Sequence, residues 1–370
     1  MSTSPATLVT NDAFTCDAWG PSHPLSIHRH KTVLGLIEHL VWLEPGELRT
    51  CDLATPETLL RLHDRDYLEA FTRATRSGQV SQQDRSSYNF GVMENPIFDG
   101  LYERAAATVG GAILAAELAL KGHHVFHPAG GTHHGQANRA SGFCYFNDPA
   151  FAILTLLDAG ADPVLYVDLD AHHGDGVETL LRDDTRVHTV SIHESDRWPH
   201  TGEIDDRAGG RARNLPVPKG FNDAELAYLV DNALRPLADR IQPKAVVITC
   251  GADALSGDPL SGMELSNRAL LDAIDAVRGF APVSVCLGGG GYTPWTVARF
   301  WAGLWGRIAG RDTPPDPLPA NAQFLLASLE CDLVDEEDIR PEWLTSLIDP
   351  VQSDLNVRPE IRDMACAVLL

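Results

Sequence analysis

One stretch of the chain changes within a few residues from an apolar strand pattern to a cluster of acids and imidazoles. Residues 165–178 read LYVDLDAHHGDGVE and contain three aspartates and two histidines. Burying such side chains among apolar neighbours is costly unless a cation or a hydrogen-bond partner compensates them. The stretch therefore directs attention to metal binding and to acid–base chemistry.

The spacing within this stretch suits a single metal ion. Side chains alternate along a strand, so we expect Asp168, Asp170 and His172 to point to one side as the strand ends. With Asp253, which follows another strand pattern, Asp170 and His172 would supply one nitrogen and two carboxylate ligands. Three protein ligands with one open position are typical of catalytic zinc, although Fe(II) or another divalent ion could use the same set. In the alternative interpretation, the aspartates cap helices and the histidines lie in hydrogen-bonded turns.

Two further motifs carry groups suited to proton transfer and to oxyanion stabilisation. In HPAGGTHHGQ, His133 and His134 follow a glycine pair, and Asp168 and Asp175 remain as carboxylate partners. A histidine bonded to an aspartate is held in one tautomer and becomes more basic, as a general base requires. In LGGGGYTPW, the glycines allow close backbone approach, and the hydroxyl of Tyr292 could stabilise a tetrahedral oxyanion. The alternatives are a fortuitous histidine pair and a flexible loop with a tyrosine at its rim.

The pattern of strands and helices predicts the α/β fold class. Val- and Ile-rich runs without alternation suit strands buried on both faces, and helices between them indicate a parallel sheet. We expect a three-layer α/β/α domain with a mostly parallel central sheet and a site at the carboxyl ends of its strands. The predicted strands are Val164–Val167, Val187–Ile192, Ala245–Thr249 and Val283–Leu287, and the predicted helices are Ile97–Lys121, Pro149–Ala159, Ala224–Ile241 and Leu265–Phe280.

The organisation of the chain favours one catalytic domain. We assign residues 1–310 to a single catalytic domain and residues 311–370 to a helical extension packed on it. The extension opens with RDTPPDPLP, which is typical of a linker, and then carries the acidic stretch DLVDEEDIRPEW.

The composition of the chain argues against nucleic acid and membrane as partners. The 370 residues are 44% hydrophobic and carry a formal net charge of −22 without any run of Lys or Arg, which argues against a nucleic-acid partner. Seven cysteines without a CxxC pair favour a reducing compartment. The amino terminus has no secretory pattern, and no apolar run approaches the roughly 18 residues of a membrane span. We expect a cytoplasmic protein with no membrane partner.

Several long motifs together resemble the histone deacetylase family, including its bacterial acetoin-utilisation-type relatives. In chain order they are GGTHHG, ASGFCYFND, YVDLDAHHGDGVE, GADALSGDPLSGM and LGGGGYTPWTVAR. HPLSIHRHKTV and ENPIFDGLYERAAATVGGA also match, so the likeness runs from about His23 to Gly310. The fold that this resemblance implies is arginase/deacetylase-like.

The resemblance implies a zinc-dependent amidohydrolase that removes an acetyl or other acyl group from acylated lysine side chains of proteins or peptides. It implies one catalytic zinc and one structural potassium ion, the latter beside Asp168 and Ser191. His134 would be the general base and acid, and Tyr292 would polarise the acyl carbonyl. The metal ligands would be Asp170, His172 and Asp253, and the catalytic residues His133 paired with Asp168, His134 paired with Asp175, and Tyr292.

The same resemblance implies which residues contact the substrate. Phe143, beside Gly142 in SGFCYF, matches one of two aromatics that flank the acyl-lysine tunnel, and Trp198 stands where the family normally has the second, a Phe. Leu260 stands where relatives that prefer acetylated polyamines carry an acidic residue. Glu94 stands at the place of a rim acid, usually Asp, that binds the substrate backbone.

Other functions remain open at this stage. A small acylated amine, such as an acetylated polyamine, is the alternative substrate class. Arginase-like ureohydrolases share the sheet architecture but would need further bridging aspartates for two manganese ions. A binding module without turnover is a third hypothesis, although every catalytic position holds a competent residue. The sequence leaves open the acyl-chain preference, the physiological substrate, the metal used in vivo and whether the protein forms a homo-oligomer.

Overall fold

The computed structural model describes residues 5–15, 19–20, 22–311, 313–352 and 355–369. In these ranges eight strands form one sheet, and every neighbouring pair is parallel. The strands are β1 (Ala6–Thr10), β2 (Leu48–Thr50), β3 (His124–His127), β4 (Val164–Asp168), β5 (Val187–Glu194), β6 (Ala212–Val217), β7 (Ala245–Thr249) and β8 (Val283–Leu287). Their order is β2-β1-β3-β8-β7-β4-β5-β6. The prediction of a central parallel sheet is confirmed.

Helices cover both faces of this sheet. The α-helices are α1 (Arg29–His39), α2 (Pro56–Leu59), α3 (Arg65–Ser77), α4 (Gln82–Tyr88), α5 (Leu101–Leu120), α6 (Asp148–Asp158), α7 (Asp175–Leu181), α8 (Asp223–Leu229), α9 (Arg235–Ile241), α10 (Asn267–Arg278), α11 (Pro294–Ile308), α12 (Ala320–Ala327), α13 (Pro341–Thr345) and α14 (Pro359–Ala367). Short 3-10 turns lie at Asp12–Phe14, Pro24–Ser26, Ala208–Gly210, Ala252–Ala254 and Glu336–Asp338. Within the described ranges no helix combines the length and apolar character that a membrane crossing needs.

The two faces of the sheet belong to separate hydrophobic clusters. In β4, Leu165 and Val167 pack with α1 and α8 to α11, whereas Val164 and Tyr166 pack with α5, α6 and α7. Side chains alternate between the faces of a strand, so a strand that is apolar throughout fills both clusters. The three-layer α/β/α arrangement is therefore confirmed.

Two predicted elements differ from the structure in instructive ways. The helix predicted from Ile97 begins at Leu101, because Gly100 lies before it in the left-handed conformation (φ +78°). The helix predicted over Ala224–Ile241 divides into α8, a π-helical turn at Val230–Leu234 and α9. Pro236 lacks a backbone N–H, so a regular α-helix cannot continue through it without losing a hydrogen bond.

The C-terminal part, residues 313–352 and 355–369, contributes α12, α13 and α14 to the same hydrophobic cluster as α11. The indole Nε1 of Trp295 donates to the carbonyl of Leu326 at 2.8 Å, and its ring stacks on Trp343 at a centroid distance of 6.3 Å. Arg358 pairs with the buried carboxylate of Glu225 at 2.6 Å. The helix α11, which follows the glycine-rich motif, is thus covered by chain beyond residue 313.

A buried ion pair fixes this C-terminal part to α11. Arg299 is 1% exposed, and its Nη2 lies 2.6 Å from Asp349 Oδ1 while its Nε donates to the carbonyl of Ser346. We expect Asp349→Ala to lower the free energy of unfolding by about 3 kcal/mol, because it leaves a buried guanidinium without its counter-charge. Urea denaturation measures this loss.

The matched control is Asp231→Ala, which breaks the exposed pair with Arg235. Exposed pairs contribute about 0–1 kcal/mol, so this variant should unfold close to the wild-type midpoint. An equal loss of unfolding free energy in the two variants would contradict the structural role given to Asp349.

Candidate metal centre and active site

The residues selected from the sequence lie close together because they follow five neighbouring strands at the same edge of the sheet. β3, β8, β7, β4 and β5 are adjacent in the sheet and parallel, so their carboxyl ends lie side by side. The loops after them carry the motifs HPAGGTHHG, LGGGGY, CGADALSGD, DLDAHHGD and HES. This is the edge at which parallel α/β sheets bind their ligands.

Asp170, His172 and Asp253 form a compact buried cluster. One potential ligand atom of each lies within 4.8 Å of those of the other two. Both carboxylates are fully buried and His172 is 8% exposed. Nδ1 of His172 lies 2.9 Å from Asp253 Oδ2 and 3.2 Å from Asp170 Oδ1. The donor set of one imidazole nitrogen and two carboxylate oxygens fits a divalent cation such as zinc.

The route by which these side chains converge differs from the expected strand alternation. β4 ends at Asp168, so Asp170 and His172 lie beyond the strand. Asp168 Oδ1 accepts the N–H of Asp170 at 3.1 Å, and Asp170 Oδ1 accepts that of His172 at 3.0 Å. Each aspartate thus caps the backbone two residues ahead, as in Asx turns, and this winds the loop so that ligands converge. Asp170 and His172 lie together as predicted, but strand alternation is not the cause, because β4 ends before both of them.

The glycine-rich loop after β8 packs its backbone directly on the cluster. The N–H of Gly290 donates to Asp170 Oδ2 at 2.6 Å. A Cβ at Gly290 would overlap the carboxylate of Asp253, so no other residue fits without displacing that side chain. Arg29 donates to the carbonyl of Gly289 at 2.9 Å and helps to order this loop, a role with no signal in the sequence.

Electrostatics show that the cluster favours a positive charge. Burial lowers the pKa of His172, but hydrogen bonds to Asp170 and Asp253 outweigh burial and raise it to about 10. Two carboxylates this close destabilise each other unless a cation lies between them. A divalent ion would supply that charge.

The tandem histidines each contact a different aspartate. Nδ1 of His133 lies 2.7 Å from Asp168 Oδ2, and Nδ1 of His134 lies 2.7 Å from Asp175 Oδ1. The two rings are 3.9 Å apart between centroids. Gln136 also donates to Asp175, at 2.8 Å. Each carboxylate thus holds its histidine in the orientation and tautomer with a proton on Nδ1.

Their surroundings push the pKa values of the two histidines apart. For His133, burial lowers the pKa, but the carboxylates of Asp168 and Asp170 outweigh burial and raise it to about 9. For His134, burial and the nearby charge of His133 lower the pKa to about 4, against the opposing hydrogen bond to Asp175. His134 is therefore the more readily deprotonated of the two rings, and it is the better suited to accept a proton at neutral pH.

Tyr292 is held by a carboxylate that the sequence did not single out. Asp258 is buried, and its two oxygens accept the N–H of Tyr292 at 2.7 Å and that of Leu260 at 2.9 Å. Burial and the charge of Asp253 raise the pKa of Asp258 to about 8, despite these two donors. The only sequence signal was its place before Pro259 in a turn motif.

One small cavity is lined by both the tandem histidines and Tyr292. It has a volume of about 50 Å³, and its lining includes His133, His134, Gly142, Phe143 and Tyr292. The rings of Phe143 and Tyr292 are 5.9 Å apart between centroids.

The remaining residues predicted to contact a substrate lie around this cavity. The ring of Trp198 is 37% exposed and lies 4.6 Å from that of His134 and 6.4 Å from that of His172. Arg197 ties the loop of Trp198 to the carbonyl of Leu260 at 2.8 Å. The carboxylate of Glu94 contacts Gly142 within the protein, accepting its N–H at 2.6 Å.

We expect Asp170→Asn to lower the bound metal well below one ion per chain, because the amide supplies no negative charge to the cluster. The measurement is metal content by plasma mass spectrometry after loading and gel filtration. Asp175→Asn is the matched control: it should keep its metal, because Asp175 contacts His134 and not the cluster. Unchanged stoichiometry in Asp170→Asn would contradict the ligand assignment.

Comparison with known proteins agrees with this geometry. The histone deacetylase domain family matches residues 23–308. Histone deacetylase clr6 of Schizosaccharomyces pombe is 36% identical over 82% of this chain and 76% of that protein. Human histone deacetylase 1 is 34% identical over 83% of this chain and 64% of that protein.

Solved structures extend the likeness to nearly the whole chain. The crystal structure of a histone deacetylase homologue from Aquifex aeolicus superimposes with a TM-score of 0.93 at 34% identity, covering 99% of this chain and all of the other. A histone deacetylase homologue complexed with SAHA superimposes equally well. Family match, identity and shared fold lead to one conclusion: this chain belongs to the histone deacetylase family of hydrolases.

Proposed function

We propose that the protein hydrolyses the amide of acylated lysine side chains in proteins or peptides and releases acetate or a related acid. The observation that carries this proposal is the buried Asp170–His172–Asp253 cluster at the same sheet edge as two histidine–aspartate pairs and Tyr292. The relatives named as histone deacetylases support the choice of acyl-lysine.

We assign the cluster to one catalytic zinc ion. Asp170, His172 and Asp253 would hold it, and no Cys competes for the site among the described residues. When bound, zinc supplies Lewis-acid polarisation of the acyl carbonyl and lowers the pKa of water.

His134 performs the proton transfers in this proposal. It is neutral at neutral pH, so it takes a proton from the attacking water and passes it to the departing lysine amine. Asp175 holds the ring in the tautomer that makes this possible. His133 is held by Asp168 at 2.7 Å, and its ring packs against that of His134 at a centroid distance of 3.9 Å, so it helps to orient the proton-transferring ring.

Tyr292 stabilises the charge that develops on the carbonyl oxygen. Burial raises the pKa of Tyr292 well above its usual value, and Asp253 adds to the effect, so the phenol stays protonated and can donate. Asp258 fixes the backbone from which the phenol projects. A preorganised donor of this kind acts on the transition state more than on the bound substrate.

Apolar walls favour the neutral stem of an acyl-lysine. We assign Phe143 and Trp198 to the flanks of the tunnel, with Gly142 between Trp198 and His134. Leu260 provides an apolar residue at the mouth, where an acidic one would be needed to pair with the second amine of a polyamine. Acetylated polyamines are therefore the less favoured substrates.

The structural ion and the location are further parts of the proposal. A potassium ion beside Asp168 and Ser191 is supported by the register of β4 and β5, which pairs these two residues. The six free cysteines of the described residues support a reducing, cytoplasmic setting.

A substrate comparison tests the proposed function. We expect acetyl-lysine peptides to be hydrolysed with a higher kcat/KM than acetylated diamines, and a chelator to abolish both reactions until zinc is restored. Acetate release is the readout, and a panel of longer acyl groups on the same peptide defines the acyl preference. Hydrolysis that persists after complete metal removal, or a preference for diamines, would contradict the assignment.

We expect Tyr292→Phe to slow the chemical step by about 10²–10³ while metal content and KM stay close to wild type, because a single oxyanion donor is lost. Stopped-time assays give kcat and KM separately. A wild-type kcat in this variant would remove Tyr292 from the chemistry.

A further inference from the structure

The wall of the tunnel that carries Phe143 is a tight turn in a left-handed conformation. Ser141 and Cys144 exchange both backbone hydrogen bonds, at 3.0 and 2.8 Å. Between them, Gly142 and Phe143 have φ values of +53° and +67°. Positive φ at both central residues is characteristic of a type I′ turn.

This conformation is unfavourable for Phe143. The Cβ of an L-residue crowds the backbone in the left-handed region, so glycine or asparagine is the usual occupant. Strained residues of this kind persist only where the surroundings hold them. The two central N–H groups point out of the turn and need acceptors elsewhere.

One short segment supplies both acceptors. The N–H of Gly142 donates to Glu94 Oε1 at 2.6 Å, and the N–H of Phe143 donates to Asn95 Oδ1 at 2.9 Å. Asn89 braces the arrangement, since its Nδ2 donates to Glu94 Oε2 at 3.3 Å and to the carbonyl of Ala140 at 3.1 Å. The carboxylate of Glu94 and the side-chain amide of Asn95 therefore each accept one of the two central N–H groups of the turn.

The turn has little freedom to move without disturbing the active site. A Cβ at Gly142 would lie 2.5 Å from Cδ2 of His134 and would overlap the indole of Trp198. The ring of Phe143 also meets that of His23 edge-on, at a centroid distance of 4.7 Å. A displaced turn would therefore widen the tunnel and loosen the packing on His134.

We propose that Glu94, together with Asn95, is a positioning residue: its carboxylate holds the Gly142–Phe143 turn and thereby shapes the acyl-lysine tunnel, instead of binding the main chain of the substrate. This inference rests on the proposed deacylase function and revises the rim role expected for Glu94. The carboxylate acts through Phe143, so its removal affects every substrate that enters the tunnel.

The test compares two substrates in Glu94→Ala. One is an acetyl-lysine peptide, and the other is N-pentylacetamide, which keeps the acetylated side chain and has no main-chain amides. We expect kcat/KM to fall by the same factor on both, about tenfold, as for the loss of one charge-assisted hydrogen bond. Asn95→Ala should reproduce this equal loss.

Two control variants distinguish positioning of the turn by Glu94 from an effect of its negative charge alone, and from a general loss of protein stability. Glu94→Gln keeps an oxygen acceptor for Gly142 and should recover to within about threefold of wild type. Asp99→Asn removes the same charge from an exposed neighbouring site and should leave both reactions unchanged. Thermal unfolding of each variant shows whether the losses exceed any change in the folded fraction.

Several results would overturn the inference. A fall in kcat/KM confined to the peptide would show that Glu94 contacts the substrate main chain. An unchanged kcat/KM on both substrates would show that the turn keeps its conformation without the Glu94 carboxylate. A wild-type enzyme that hydrolyses the peptide and not N-pentylacetamide would make main-chain contacts indispensable. Failure of the wild type on the peptide would instead contradict the proposed function.

Discussion

Two buried carboxylates that share one imidazole are the constraint on which the site depends. Asp170 and Asp253 are fully buried, and both lie within about 3 Å of the same nitrogen of His172. Like charges this close, away from water, are unfavourable without a cation, so the surrounding structure must hold them together. The adjacent strands β4 and β7 bring the two loops side by side, and the backbone of Gly290 closes the cluster from the third side. The parallel sheet thus fixes the positions of the Asp170 and Asp253 carboxylates.

The other acids of the site each orient one functional group. Asp168 holds His133, Asp175 holds His134, and Asp258 holds the backbone of Tyr292. Despite burial, the carboxylates of Asp168 and Asp170 raise the pKa of His133 to about 9, whereas burial and the charge of His133 lower that of His134 to about 4, against the effect of Asp175. Two neighbouring residues of the same type thus differ in basicity because their surroundings differ, and this difference supports the separate roles proposed for them.

The sequence predicted the centre of the molecule better than its edges. β7 and β8 were predicted to the residue, because unbroken apolar runs are required where strands are buried on both faces. The strands β1, β2, β3 and β6 were not predicted. The edge strand β6 was missed because its sequence ARNLPV is mixed and contains a proline that only an edge tolerates. The three residues proposed to bind the metal were selected by spacing and motif, and the structure brings them together. The sequence did not predict the Asx turn at Asp168. Nor did it predict the contact of Asp258 with the backbone of Tyr292 or that of Glu94 with the backbone of Gly142, since each depends on a segment from elsewhere in the chain.

Anomalous diffraction from crystals of the zinc-loaded protein, recorded on both sides of the zinc absorption edge, tests the central claim most directly. The account predicts one strong peak about 2.0–2.2 Å from Nδ1 of His172 and from one oxygen each of Asp170 and Asp253. A loaded crystal whose only zinc peaks lie away from these three side chains would contradict it.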